Sequence, residues 1–407
     1  NMAKIQDITP KFPTISAREK LATLEDEMGV VRGGWAFGGT EQKRGGHTLG
    51  RNVRVVPVGG SIQNAIDELN SLGGGVVELL DGTHTVANNL TIYSNISLVG
   101  RGRGTTILEF SGGARGIQAL GTSTSVRTNM LLKDFTLQNS NNAAGIDIDY
   151  FDFWSMENVR VTSCDQDGIR IQHSRDFKLL NVRSDLNTSD GFVISGDSTR
   201  SSRDFTLFLC KADSNEVIGF SFPTGAANFV LRFALIACSA DANLGDGFDI
   251  ANGVAGIGGG IFARIIGCSS DTNTGNGFDL QPDGGLQVSG CSASGNQADG
   301  FNLGGTQNAI SDCLSVGNTI EFDFSEVASS DIWTATNLTT QIGAAIAPSG
   351  EIEIDDELVN IVGGLGSSPR TEKKIFRMLN GSGGQVVDGD VVTFAAVATG
   401  ESFTTTT

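Results

Sequence analysis

Apolar and polar residues alternate in short segments along the middle of this chain, and one segment recurs. Between about Val182 and Asn318, the motif Cys-x-x-x-x-Asn occurs five times, and a sixth copy has valine in place of the cysteine. In five copies, Gly-Phe-x-apolar begins four residues after the asparagine. Alternation with a period of two is typical of β-strands, and the Gly, Asn, Asp and Ser clusters between segments form turns. The pattern therefore predicts short strands with no helix between them.

The motif repeats every 22 to 30 residues, which is typical of a solenoid. We expect coils of about three strands, stacked in parallel with about 4.8 Å between equivalent residues. Stacking aligns three columns: Phe192, Phe220, Phe248, Phe278 and Phe301; Ile148, Ile171, Ile194, Phe222, Ile250, Leu280, Leu303 and Phe324; and Asn187, Asn215, Asn243, Asn273, Asn296 and Asn318. The first two would face the core. We expect left-handed backbone angles at the asparagines and a tight corner at each glycine that precedes a phenylalanine.

The chain has six cysteines, which raises the question of disulfides or zinc. Five of them fall in one column of the repeat (Cys210, Cys238, Cys268, Cys291 and Cys313), and Val159 and Val182 occupy the same column. Cysteine packs as a small apolar side chain, and no Cys-x-x-Cys spacing is present. We therefore expect reduced thiols in the core and synthesis in a reducing cytoplasm.

A helix is predicted just before the first coil. Ser61 suits an N-cap, and Ile62, Ala65, Ile66 and Leu69 share one helical face. The first coil of a solenoid would otherwise expose its core and its strand edges. A helix at 61–72 is thus expected to cap the stack.

The segment from this helix onward carries four linked motifs. They are Ile62-Gln-Asn-Ala-Ile-Asp67, Gly73-Gly-Gly-Val-Val77, Gly82-Thr83-His84 and Leu98-Val-Gly-Arg-Gly102. Together they resemble the start of the pectate-lyase-like, right-handed parallel β-helix superfamily, which includes pectin-degrading enzymes and many bacteriophage tailspikes. His84 departs from the usual aromatic residue, and Leu80 stands where proline is common. The resemblance implies an all-β, single-stranded right-handed parallel β-helix, whereas its function must be read from a site.

Four regions are expected along the chain. Residues 1–50 form an arm for attachment or oligomerisation, with a short helix that begins near Ser16. Residues 51–345 form the β-helix, and 346–369 a strand and linker. Residues 370–407 form a small C-terminal β-domain, which we expect to continue past Thr407 because no turn or cap ends it.

The net charge of the chain limits the classes of molecule that it is expected to bind. The net charge of −18 disfavours nucleic acid, which would require clustered Lys and Arg, and disfavours a polyanionic glycan unless Ca²⁺ bridges the charges. No motif indicates a cofactor or a Ca²⁺ site. No signal peptide and no run of 18 apolar residues is present, so we expect no membrane insertion.

Two sets of residues are candidates for chemistry or binding. Asp249 and Asp279 follow the repeat phenylalanine in adjacent coils, so their backbones should lie about 5 Å apart. They could act as a glycosidase pair, hold Ca²⁺ or simply be solvated. The second set combines acids with aromatic residues that suit a sugar: Asp147, Asp149, Tyr150, Asp152, Trp154, Arg170 and His173. The alternative interpretation is that these residues form an ordinary solenoid loop that binds no sugar.

Three function classes fit these features. We favour a bacteriophage virion protein (a tailspike, tail fibre or decoration protein) whose rigid β-helix binds a host-surface glycan or receptor. The alternative is a depolymerase of that glycan, either a glycoside hydrolase or a polysaccharide lyase. A secreted pectate-lyase-type enzyme is disfavoured because no signal peptide is seen. A virion protein made in the host cytoplasm would form a homo-oligomer, most simply a trimer, and contact other virion proteins through its N-terminal arm or C-terminal domain.

Overall fold

A computed structural model describes residues 52–113, 115–197, 199–223, 230–250, 263–281, 285–305 and 309–327, together with strands at 332–335, 351–354, 374–377, 391–393 and 404–406. The helix expected near Ser16, the arm at 1–50 and the linker lie outside these residues. In the C-terminal region only isolated strands are described.

The described residues contain one helix and a long series of strands. The helix is α1 (Ile62–Ser71). The strands are β1 (Val53–Val56), β2 (Gly75–Leu79), β3 (Gly82–Val86), β4 (Leu90–Thr91), β5 (Ile96–Val99), β6 (Thr106–Phe110), β7 (Ile117–Leu120), β8 (Arg127–Gln138), β9 (Ile146–Asp149), β10 (Phe151–Thr162), β11 (Ile169–Gln172), β12 (Arg175–Leu180), β13 (Arg183–Asp185), β14 (Phe192–Ser195), β15 (Ser202–Phe208), β16 (Lys211–Asp213), β17 (Phe220–Phe222), β18 (Val230–Ile236), β19 (Ser239–Asp241), β20 (Phe248–Ile250), β21 (Ala263–Ile266), β22 (Ser269–Asp271), β23 (Phe278–Leu280), β24 (Leu286–Ser289), β25 (Ser292–Ser294), β26 (Asp299–Gly305), β27 (Ala309–Val316), β28 (Ile320–Val327), β29 (Ile332–Ala335), β30 (Glu351–Ile354), β31 (Lys374–Arg377), β32 (Val391–Thr393) and β33 (Thr404–Thr406).

The strands wind into a parallel β-solenoid of about ten coils. One ten-stranded sheet takes one strand from each coil, in the order β28-β26-β23-β20-β17-β14-β11-β9-β7-β4. A second sheet carries the other two strands of each coil as two rows, for example β12-β15-β18-β21 and β13-β16-β19-β22. Every pairing from β1 to β30 is parallel, and antiparallel pairing enters with β31. The predicted fold class and the three-strand coil are confirmed.

The predicted core columns are present in register. Phe192 pairs with Phe220, and Phe248 with Phe278, and each pair stacks with ring centroids 4.7 Å apart. The aliphatic column two residues later is buried throughout its described part. A further aromatic column, which was not predicted from the repeat, consists of Trp154, Phe177, Phe205 and Phe233. Stacked rings make the interior a continuous apolar rod, and each contact contributes about 1 kcal/mol beyond its burial.

The cysteine column also lies in the core. All six cysteines are free and buried. The Cys238 thiol donates to the carbonyl oxygens of Leu207 and Ile236 at 3.5 and 3.6 Å, one in the preceding coil and one in its own. Burial raises the pKa of this thiol well above its usual range. The prediction of reduced core cysteines is confirmed for the structure.

The asparagine column forms a hydrogen-bonded ladder, but not through left-handed asparagines. Positive φ angles occur instead at the residue before each one, such as Leu186, Ser214 and Thr272. This placement corrects the expectation. The preceding residue turns the chain, which aims the asparagine side chain into the stack, where its amide can bond to the next coil.

Gly191, Gly219, Gly247 and Gly277, which precede the phenylalanines, lie at bends of the chain as expected, but without left-handed backbone angles. Gly219, Gly247 and Gly277 do not have positive φ. A Cβ atom on Gly247 would lie 1.9 Å from Ser270 Oγ and 2.7 Å from the carbonyl oxygen of Gly277 in the next coil. Glycine is therefore required for close approach of adjacent coils, and not for a left-handed corner.

Helix α1 caps the stack as predicted. The Ser61 hydroxyl accepts a hydrogen bond from the Asn64 N–H at 3.3 Å, which satisfies one free donor of the first turn. Ile62, Ala65, Ile66 and Leu69 are buried against the first coils. The helix thus covers core that would otherwise face water.

Candidate functional site

The ten-stranded sheet presents an outward column that contains Asp249 and Asp279 of the first predicted site and Asp147 and Arg170 of the second. Its members are the residues after each inward Phe or Ile: Gln118, Asp147, Arg170, Val193, Ser221, Asp249, Asp279 and Asn302. Because strands alternate in side-chain direction, these residues share one face of the sheet. The predicted outward column is therefore continuous.

Asp249 and Asp279 are register partners on β20 and β23. Burial and, after it, the neighbouring carboxylates of Asp279, Asp246 and Asp190 together raise the pKa of Asp249 to about 7. Asp279 accepts hydrogen bonds from Asn302 Nδ2 at 3.0 Å and from Gln281 Nε2 at 3.1 Å. Asp249 can thus both donate and accept a proton near neutral pH, as acid–base catalysis requires, with the Asp279 carboxyl group beside it.

Two further acids line the same face. Asp190 accepts a hydrogen bond from the Ile218 N–H at 2.9 Å, and Asp246 accepts one from the Asn276 N–H. Burial raises the pKa of both carboxyl groups, although these N–H groups oppose the shift. Within the described ranges, no three acids, histidines or cysteines converge as a metal would require.

The second predicted set lies three to five coils from the helix end, where β9 and β11 turn toward β10 and β12. Arg170 binds Asp147 with two hydrogen bonds of 3.1 and 2.7 Å. His173 Nδ1 lies 2.7 Å from Asp149 Oδ1, and His173 Nε2 lies 3.2 Å from Asp197 Oδ2. A histidine held on both nitrogens by carboxylates is fixed in orientation.

An aromatic pair sits at the same corner. Tyr150 stacks on His173 with ring centroids 4.4 Å apart and planes at 16°. Both residues have left-handed backbone angles, φ 48° and 47°, which turn their side chains away from the sheet. Burial lifts the pKa of Asp149, partly offset by His173. The corner thus combines a half-buried flat ring, acids and a fixed histidine, the combination that suits the apolar face and the hydroxyls of a sugar.

The structure does not bring every predicted residue to this corner surface. Trp154 is a core residue, only 2% exposed and stacked on Phe177 at 4.7 Å, so it offers no face to a glycan. Its position on β10 points inward, in step with Met156. Asp152 is at the corner, but both its oxygens accept hydrogen bonds from Arg200.

Several of the solved structures that are similar to this fold are bacteriophage proteins. ORF18 of Geobacillus virus E2 aligns with 73% of this chain and 58% of its own at 16% identity, with a TM-score of 0.55. The gp42 tailspike of Acinetobacter phage vb_AbaP_AS12 aligns over 86% of this chain and 67% of its own at 12% identity and a TM-score of 0.53. The gp49 tailspike of Acinetobacter baumannii bacteriophage Fri1, a capsular polysaccharide depolymerase, aligns over 71% of this chain and 58% of its own at 13% identity and a TM-score of 0.52.

These similarities show the fold and confirm the resemblance to tailspike β-helices. The chain spans 58% of the length of two of the three proteins. No protein-family model and no curated protein matches it. In the described part of the chain, no helix is long and apolar enough to cross a membrane.

The structure also contains an acidic column that was not predicted from the sequence, although its residues belong to the repeat. Asp185, Asp213, Asp241 and Asp271 occupy the fourth position of the motif and pair coil to coil. Arg160 and Arg183 bind Asp185. Burial and the flanking acids raise the pKa of Asp241 to about 6. Four aspartates in six copies were the available signal.

Arginines at the β11–β12 corner were also missed. Arg175 and Arg203 are register partners on β12 and β15, and Arg200 lies in the loop that precedes β15. No repeat places them, because corner loops differ in length from coil to coil. Only the three-dimensional turn brings Arg200 beside Tyr150, with the guanidinium carbon 5.9 Å from the ring centroid.

Proposed function

We propose that this protein is a bacteriophage virion appendage whose rigid β-helix presents a binding site for a host-surface glycan. The observation that carries the proposal is the coil corner where Tyr150 stacks on His173, flanked by Asp149 and Asp197. It projects from a rod of the tailspike type. Because hydrogen bonds and stacking fix these side chains before binding, little ordering cost opposes a ligand.

The proposal includes assembly. A rod of this kind would act as a homo-oligomer, most simply a trimer, in the virion, joined to other virion proteins through residues 1–50 or the C-terminal region. Two or more copies would present the corner repeatedly, and multivalency would strengthen weak individual contacts with a repetitive glycan.

The test combines mass and binding. Light scattering of the full chain at micromolar concentration is expected to give a multiple of the 42.5 kDa chain mass. An array of bacterial capsular polysaccharides and lipopolysaccharides is expected to yield at least one ligand, and Tyr150→Ala is expected to abolish its binding. Tyr93→Ala, which changes a half-buried tyrosine elsewhere, serves as the matched control. A monomer that binds no glycan overturns the proposal.

A second candidate, a depolymerase of the same glycan, is favoured by the Asp249–Asp279 pair. An acid with a pKa of about 7 beside a hydrogen-bonded carboxylate supplies a proton donor and a nucleophile or base. The glycan found on the array would be incubated with the protein, and its products separated by size. Cleavage that is lost in Asp249→Asn and in Asp279→Asn, with binding retained, supports this role. An uncleaved glycan rejects it.

A further inference from the structure

Arg175 lies near two other arginines in a strongly acidic chain. Among the described residues, no acid forms an ion pair with its guanidinium, and its Nε is buried with no hydrogen-bond acceptor. Burial lowers its pKa, and so do Arg200 and Arg203, which places three guanidinium groups in one neighbourhood. In a protein of net charge −18, such a grouping is not a consequence of composition.

The acids around Arg175 are already engaged. Asp152 and Asp204 are the acids that act on it. Asp152 is bound by Arg200, and Asp204 is bound by Arg232 through two hydrogen bonds of 2.7 and 2.6 Å. Burial, Asp204 and Asp152 raise the pKa of Asp176, next in the chain, and Arg203 and Arg175 oppose that shift, but Asp176 forms no ion pair with either arginine. The local acids therefore do not satisfy Arg175.

Arg203 is only partly engaged, by an ion pair with Asp204. Its Nε is buried without a hydrogen-bond partner, and its nearest acid atom, Asp204 Oδ2, is 3.6 Å away, beyond hydrogen-bond distance. Arg175 and Arg203 are paired in register, so their side chains leave the sheet one coil apart, about 4.8 Å at the backbone. Two neighbouring guanidinium groups match one carboxylate or two adjacent ones.

Arg200 links this pair to the aromatic corner. It is held by Asp152 and by the carbonyl oxygen of His173 at 2.6 Å, and its guanidinium faces the Tyr150 ring. Its position is fixed in the free protein. A ligand on the Tyr150 ring would therefore lie beside positive charge on one side only, toward Arg175 and Arg203.

We propose that this corner binds an acidic sugar residue, with the sugar ring against Tyr150 and its carboxylate on Arg175 and Arg203. This assignment rests on the proposed glycan-binding function and names the class of glycan: one that contains a hexuronic or other carboxylate-bearing sugar. The high net negative charge would still disfavour a uniformly polyanionic chain, so acidic units spaced by neutral ones fit the site better. Arg200 is a positioning residue here, and Arg175 and Arg203 contact the ligand.

The experiment uses the full chain and small acids as probes. Glucuronate, galacturonate, mannuronate, guluronate and N-acetylneuraminate would be titrated at millimolar concentration by ligand-observed NMR, each beside the matching neutral sugar. Binding of at least one acid, with at least about tenfold weaker binding of its neutral counterpart, is expected because a charged carboxylate–guanidinium contact is lost. Arg175→Gln and Arg203→Gln are each expected to reduce affinity by a similar factor.

Arg264→Gln is the matched control, because it removes one exposed arginine from the same sheet and changes the net charge equally. Circular dichroism melting of each variant separates loss of binding from loss of fold, and Arg175→Lys distinguishes the bidentate fork from charge alone. If none of the acids binds, or if acid and neutral sugars bind alike and Arg175→Gln changes nothing, the acidic subsite is wrong. In the second case, glycan binding itself survives, whereas a failure on the polysaccharide array as well would reject both.

Discussion

The Nδ2 atom of Asn243 donates a hydrogen bond to Oδ1 of Asn273 over 2.9 Å, so two buried amides satisfy each other across adjacent coils. The same side chain donates to the Ala212 carbonyl at 3.0 Å and accepts both the N–H and the Nδ2 of Asn215. All the bonds that an amide can make are thus made inside the protein. The ladder holds coil spacing where the corner is too tight for strand pairing.

Removing one asparagine side chain from the ladder should destabilise the folded protein. Asn243→Ala leaves the backbone N–H and one Nδ2 hydrogen of Asn215 unpaired in a buried site, so we expect the free energy of unfolding to fall by about 2–4 kcal/mol. Asn88→Ala, at an exposed position, is the control and should stay within about 0.5 kcal/mol. Urea unfolding followed by circular dichroism measures both. Equal stability of the two variants would contradict the ladder's role.

The close approach at Gly247 gives a second prediction. Gly247→Ala forces its Cβ against Ser270 Oγ and the Gly277 carbonyl, and overpacking of this kind costs about 1–3 kcal/mol or more. Gly104→Ala is the matched change, since Gly104 has open space around it and no positive φ. Thermal melting is expected to show a clear loss for the first variant and almost none for the second. The opposite ranking would mean that Gly247 is not a packing residue.

The buried cysteine thiols should not react with thiol reagents until the protein unfolds. Because only the thiolate reacts and burial raises the pKa of Cys238, the native protein is expected to give almost no colour with Ellman's reagent at pH 8. In denaturant, all six cysteines should react. Reaction of one or more thiols in the native state within minutes would contradict the core assignment.

Stability should also depend on Asp249. Its pKa in the folded protein is about 7, above the ordinary value of 3.8, so the folded state binds more protons than the unfolded state between these values. The free energy of unfolding therefore falls as pH rises from about 4 to about 7 and then levels off, since ∂ΔG/∂pH follows the difference in bound protons. Asp249→Asn should be more stable than the parent protein at pH 8, by about 2 kcal/mol, and equal to it at pH 4.

Asp165→Asn, at an exposed corner, controls for the change in net charge. Urea unfolding at pH 4, 6 and 8 supplies the comparison. If Asp249→Asn were destabilising at pH 8, its carboxylate would be stabilised by a cation, which would favour a metal at this face.

Much of the fold was predictable because the sequence repeat sets the position of each core residue within its coil. Phenylalanine, cysteine and asparagine recur at fixed offsets, and parallel stacking converts each recurrence into a column, as with Phe248 on Phe278. What the repeat could not convey was which backbone position turns. Leu186 and Thr272 take the left-handed angles that asparagine was expected to take, because the turn is set by where the amide must point.

The candidate sites were less predictable. Asp249 and Asp279 lie in the repeat, and their adjacency follows from its register. The second site depends on corners whose loops vary in length. Trp154 was expected on the surface, yet it faces the core because the positive φ of Phe153 interrupts the alternation of β10. Arg200 and Asp197 reach the Tyr150 corner from the loop before β15, two coils later.

By itself, the sequence determined the architecture: a parallel solenoid with aromatic, cysteine and asparagine columns and a capping helix. Local alternation and a fixed period are enough for this, because stacking repeats one coil's environment in the next. Only the tertiary structure decided what the corners hold. Tyr150 on His173, and Arg175 beside Arg203 without an acid, are contacts between loops and coils of different length, and they depend on the path of the backbone in space.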